Sequence, residues 1–145
     1  MVATAPYPAE PPHDSPTLSG RPAAFGERIC FIHLDIAKDP LPKADLWFCR
    51  DCFYHLSLGD IRAALRRFVE SDIPYLFASH VSAPSGPHNH DIASGDFRLI
   101  ALFEPPFSFP RQVLYRIDDF AAGGKSSREM CLWTRQQVAD SLRIG

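Results

Sequence analysis

At 145 residues, 46% apolar and 22% charged, the chain has the composition of one soluble globular domain large enough to bury a core. A net charge of −2 offers no basic surface to nucleic acid, and no stretch approaches the roughly 20 apolar residues of a membrane span. Four cysteines without framework spacing, and an N-terminus without a basic-then-apolar leader, fit free thiols in a reducing compartment, so a cytoplasmic protein is expected.

Residues 1–24 carry Pro6, Pro8, Pro11, Pro12, Pro16 and Pro22 with no apolar periodicity. They read as a proline-rich, disordered lead-in to a domain spanning 25–145. Ile29–Leu34 (ICFIHL) is the first strand candidate, and Asp39-Pro40-Leu41-Pro42-Lys43 is a connector too proline-rich for a helix. Leu46–Cys49 (LWFC) follows, a short apolar run of the kind expected in a strand buried on both faces of a parallel sheet. Ser57 opens a helix with Asp60 in capping-box spacing, and Ile61, Leu65, Phe68 and Val69 give that helix one apolar face. Pro74–Val81 reads as a further strand and Pro84–Pro87 as a loop. Asn89–Leu102 is polar and then mixed, and Pro105, Pro106 and Pro110 mark an extended passage. Val113–Ile117 and Glu129–Thr134 complete the strands, and the tail from Arg135 has the length of a short helix.

Strand, polar turn and amphipathic helix make half of a βαβ unit. Its polar turn (Arg50, Asp51, His55) lies at the carboxyl end of the strand, where open α/β sheets place their ligands. The link from Leu34 to Leu46 is short for adjacent parallel strands, which usually need a crossover of a dozen or more residues. About nine extended residues reach roughly 30 Å. That is enough to return one strand length of about 17 Å and step sideways past other strands.

Two sets of residues carry a resemblance. Asp35-x-x-x-Asp39-Pro40-Leu41-Pro42-x-Ala44-Asp45-Leu46 leads into Cys49-Arg50-Asp51-Cys52-x-x-His55-Leu56-Ser57. Asn89-x-Asp91-Ile92-x-x-Gly95-Asp96-Phe97-Arg98 leads into Pro105-Pro106-Phe107 and Pro110. From about Phe25 to the C-terminus the chain resembles a class I S-adenosylmethionine-dependent methyltransferase. The resemblance implies an α/β, Rossmann-like methyltransferase sheet of parallel strands plus an antiparallel C-terminal strand. Ile29–Leu34, Leu46–Cys49 and Tyr75–Val81 stand as its third, fourth and fifth strands. Such enzymes begin with a strand, a glycine-rich turn around the cofactor and a ribose-binding acid. Before Ile29, Gly20 and Gly26 are isolated and no apolar strand precedes them. The expected sheet is therefore incomplete, lacking its first two strands, and methyl transfer by this chain alone is expected to be impaired or lost.

The resemblance sets Asp35 and Ile36 near the adenine of S-adenosylmethionine, with Cys49 and Arg50 as further cofactor-binding candidates. Asp51 and His55 are placed to take a proton from the methyl acceptor. Asn89, Asp91 and Asp96 form the acceptor-binding segment. Turn and cap chemistry explains several of these residues without any ligand. Cys49-x-x-Cys52 also matches redox spacing, but its helix starts only at Ser57, so Cys49 lacks the helix N-terminus that activates such thiols. Zinc on Cys49, Cys52, His88 and His90 lacks a second CxxC or an HxxxH, and no metal is expected. Three functions stay open: a truncated, inactive remnant; an enzyme half completed by a complementing chain; and a non-catalytic binding module. An open apolar strand edge predicts self-association or a partner.

Overall fold

The computed structural model describes residues 30–82, 89–119 and 128–144. By its internal contacts the chain divides into two units, Met1–His33 and Leu34–Gly145. The lead-in expected over 1–24, Ile29, the loop Pro84–Pro87 and His88 lie outside the described residues.

Of the first unit, Cys30–His33 form no strand, and Phe31 is 95% exposed. The strand expected over Ile29–Leu34 is thus not found, and the argument from connector reach lapses with it. A strand exists only through its ladder, and the apolar run from Cys30 makes none.

The second unit opens on a turn, not a strand. Asp35 accepts from the Ala37 amide (3.0 Å) and Lys38 Nζ (2.8 Å), and its carbonyl accepts from the Asp39 amide at 2.8 Å. The elements then run β1 (Trp47–Cys49), a 3-10 turn (Cys52–His55), α1 (Leu58–Glu70), β2 (Tyr75–Val81), β3 (Tyr115–Asp118), β4 (Arg128–Thr134) and α2 (Arg135–Ile144). The strands form one mixed sheet in the order β1-β2-β4-β3. β1 and β2 are parallel, and β4 runs antiparallel to both of its neighbours. The C-terminal strand is therefore reversed, as expected, and lies between β2 and β3.

Local chemistry explains both helices. Ser57 caps α1 by accepting from the Asp60 amide at 3.0 Å. The box expected from Asp60 is closed through a third residue instead. Ser94 Oγ accepts from the Ser57 amide at 2.9 Å and donates to the Asp60 carboxylate. Ile61, Ala64, Leu65 and Phe68 are fully buried, and the larger ones contribute about 1.5–3 kcal/mol each by burial. At α2, Thr134 Oγ1 accepts from the Gln137 amide (3.1 Å) while Gln137 Oε1 accepts from the Thr134 amide (2.9 Å), a reciprocal capping box.

One face of the sheet is covered. Trp47 meets Phe68 of α1 at 5.7 Å between ring centroids, and Trp133 meets Phe109 at 5.1 Å. The segment from Asn89 to Phe109 forms no regular element but buries Ile100, Ala101 and Leu102 completely. It is tied to β2 by the bond from the Val81 amide to the Ile100 carbonyl (2.8 Å). On the other face Phe48, at 56% exposure, corrects the expectation that β1 is buried on both sides. Burial of that row depends on a layer packed over it, and Phe48 meets the Phe77 ring of the neighbouring strand at 5.9 Å.

Candidate functional site

At the carboxyl end of β1 the chain turns sharply at Asp51, whose φ of 59° is left-handed, a conformation Asp tolerates. This turn is pinned to β2: the Asp51 amide donates to Ser79 Oγ at 2.7 Å, and that hydroxyl approaches the Asp51 carboxylate at 3.4 Å. Arg128, at the start of β4, pairs with the same carboxylate and reaches Asp119 at 3.2 Å. Arg50 donates to Asp119 from two nitrogens, at 2.8 and 3.1 Å. Asp51, Arg128, Asp119 and Arg50 thus form an open chain of alternating charge, two anions and two cations. Asp119 is held below the usual carboxylate range, first by the Arg50 hydrogen bond and then by Arg128 against the opposing effect of burial. Arg128 also lies over the Tyr54 ring at 5.4 Å, and burial pushes the Tyr54 phenol up to about 12.

The next residues shape the floor. Cys49 is buried, and its thiol is pushed well up, first by its hydrogen bond to Cys52 and then by burial. The same bond lowers Cys52 to about 7. His55 ends the 3-10 turn on the surface, with Nδ1 3.0 Å from the Asp96 carbonyl and the ring 5.4 Å from Phe97. Since that carbonyl only accepts, Nδ1 carries the proton and Nε2 is the acceptor.

The structure brings His55 and Asp96 together, as it does the Gly95 amide and the His55 carbonyl (2.7 Å). Asp91 accepts from the Leu58 amide (2.8 Å), so it completes the amino end of α1. Asn89 is buried and left-handed (φ 58°). Its amide nitrogen donates to the carbonyls of Ala101 (2.9 Å) and Pro105 (2.7 Å), while its oxygen accepts from the Ala101 amide. Its polar atoms are spent on the backbone. Asp35 is spent likewise on its own turn, and Ile36 is half-buried against the core. Among the four residues assigned to S-adenosylmethionine, Arg50 faces Asp119 and Cys49 is internal. These four alone do not make a cofactor cradle.

Sequence reasoning missed Ser79, Asp119 and Arg128, which lie far from Asp51 in the chain and meet it only through sheet pairing. It also missed what Arg98 does. Buried Arg98 donates to the carbonyls of Phe53 (2.9 Å), Leu56 (2.7 Å) and His90 (3.1 Å), and so staples the 3-10 turn to the 89–98 segment. Its place in the Asp96-Phe97-Arg98 motif was the available signal. Among the described residues no helix is long and apolar enough to cross a membrane. Comparison with family models, with curated proteins and with solved structures finds no match.

Proposed function

We propose that this chain is the C-terminal part of a class I S-adenosylmethionine-dependent methyltransferase domain. It presents the acceptor side of a methyl-transfer site and is impaired as an isolated chain. The observation that carries this reading is the sheet. β1 and β2 are parallel and joined through α1, and the C-terminal strand is reversed. β1 lies at an edge, where the family's first strands would continue the sheet. The polar chain Arg50–Asp51–Asp119–Arg128 sits at the carboxyl ends, the ligand side of such sheets. A complementing chain or segment would pair with β1 and supply the glycine-rich turn. His55, with an exposed imidazole, is the residue we assign to proton transfer from the acceptor.

A second reading, a non-catalytic binding module, is favoured by one observation. Asp51, the other assigned base, is already engaged by Arg128.

The test is an amide-resolved NMR titration of the whole chain with S-adenosylmethionine. A dissociation constant near 1 mM, about −4 kcal/mol, is expected, with shifts confined to Ile36 and Cys49–Asp51. Micromolar binding would overturn the impaired state, and shifts confined to α2 would overturn the methyltransferase reading.

A further inference from the structure

Inside the covered face, three polar side chains meet that the carboxyl-end site does not use. In the antiparallel β2–β4 ladder His80 stands opposite Glu129. Cys131, two residues along β4, points to the same face. One potential ligand atom from each lies within 4.8 Å of the others, and all three residues are buried.

The pairing of His80 with Glu129 is unfinished. Nε2 and Oε1 are 3.1 Å apart, with the side chains 0% and 5% exposed, yet neither atom has a hydrogen-bond partner because the approach is misdirected. The other ring nitrogen, Nδ1, lies 3.1 Å from the Val81 carbonyl, which only accepts. Nδ1 therefore carries the imidazole proton, and Nε2 keeps an unshared lone pair 3.1 Å from the carboxylate. Arg116 reaches the second oxygen of Glu129, at 3.4 Å, and leaves Oε1 without a donor. Two buried lone-pair atoms 3.1 Å apart, neither with a donor, are a place that a cation would satisfy.

We propose that His80 Nε2, Glu129 Oε1 and Cys131 Sγ form a binding site for one divalent zinc-like cation. Imidazole nitrogen, carboxylate oxygen and thiolate sulfur are a ligand trio suited to zinc. With zinc bonds of about 2.0 Å to nitrogen or oxygen and about 2.3 Å to sulfur, a tetrahedron has a nitrogen–oxygen edge of about 3.3 Å. The 3.1 Å separation is already close to that edge, and sulfur, within 4.8 Å of both, has at most about 1.3 Å to close. Binding changes no oxidation state. Cys131 gives up its thiol proton to solvent, and the thiolate and the Glu129 carboxylate together balance the two charges of the metal. Phe103 and Trp133, with ring centroids 4.4 and 5.8 Å from that of His80, hold the imidazole in place. Three protein ligands leave the fourth position to a small molecule. The inference does not depend on the methyltransferase reading.

The rival arrangement is a proton shared between His80 and Glu129. To separate the two, the whole chain is stripped with chelator under reducing conditions and titrated with Co2+. One equivalent should produce a thiolate-to-cobalt charge-transfer band, which Zn2+ then erases. Cys131→Ser should lose the band with its far-ultraviolet circular dichroism intact, whereas Cys49→Ser/Cys52→Ser should keep it. Where Cys131→Ser fails to fold, Glu129→Gln serves, with zinc affinity expected to fall at least about tenfold. A band that survives Cys131→Ser, one that vanishes with Cys49 and Cys52, or no stoichiometric uptake at all overturns the site.

Discussion

The two faces of the sheet are built to different standards. On one, Trp47, Leu76 and Trp133 sit under α1 and the 99–109 segment, with Leu76 and Trp133 fully buried. On the other, Phe48, Phe77, Leu132 and Tyr115 stand opposite one another in register across all four strands. Phe48 and Tyr115 there are each 56% exposed, and their rings meet Phe77 at a tilt, with centroids 5.9 and 6.2 Å away. Among the described residues no helix crosses this row. Sheets with parallel strands ordinarily carry helices on both faces, because each strand is apolar on both sides. The difference teaches that β1 and β2 have the composition of interior strands but the cover of a half-built layer. That is what the proposed complementing segment would mend, and what would otherwise favour association with a partner or a second copy.

The largest expected effect sharpens this contrast directly. Trp133→Ala removes a fully buried ring from the covered face and should cost about 3–5 kcal/mol in urea unfolding. Phe48→Ala, from the open face, should stay within about 0.5 kcal/mol. A cost above about 2 kcal/mol for Phe48→Ala would show that this face is covered in solution, and the comparison would fail.

How much of this was legible follows the range of the signals. Helix α1 was legible to its cap, because Ser57 and the Ile61–Leu65–Phe68 spacing are local. So were β2, β4 and the reversal of β4, within a residue or two. Cys30–Leu34 shows the limit: a run of apolar residues reads as a strand, but whether it pairs is decided by residues elsewhere. β1 misled in a subtler way. Its four apolar residues spoke for burial on both faces, and burial depends on what packs above the row, which a local pattern does not encode. The turn that carries Asp51 and His55 was legible as a polar turn at the end of β1, whereas its contacts with Ser79 and Arg128, and through Arg128 with Asp119, were dark. Nor did the sequence flag His80, Glu129 and Cys131 as a group, since strand register alone brings them together.

A smaller effect tests the cover itself. The 99–109 segment keeps its place without regular structure, through its backbone bond to β2 and through single side chains, of which Asn89 is one. Asn89→Ala removes the amide that serves the Ala101 and Pro105 carbonyls, and puts a residue with a Cβ and no compensating polar group at a left-handed position. A loss of about 2–3 kcal/mol is expected, with hydrogen exchange accelerated first at Ala101. Unchanged stability, together with weakened binding of a methyl acceptor, would return Asn89 to the acceptor-binding role suggested by sequence.

The smallest effect belongs to the rim, where the covered and open faces meet at charged residues. Asp119 bonds both Arg50 and Arg128, and its folded pKa lies below the ordinary 3.8. In the unfolded chain the same carboxyl takes up its proton nearer 3.8, so between the two values the unfolded state binds more protons than the folded one. Stability therefore rises with pH through that window. The contribution of Asp119 is complete above the unfolded value and disappears as pH falls through the folded one. Because Arg50 is half exposed, solvent screens the pair, and the contribution is about 0.5–1 kcal/mol. Asp119→Asn should lower stability by that amount at pH 7 and by less at pH 2, flattening the acid limb of a stability–pH curve. An equal loss at both pH values would mean that Asp119 acts by packing and not by charge, and the rim would then be an extension of the covered face rather than its boundary.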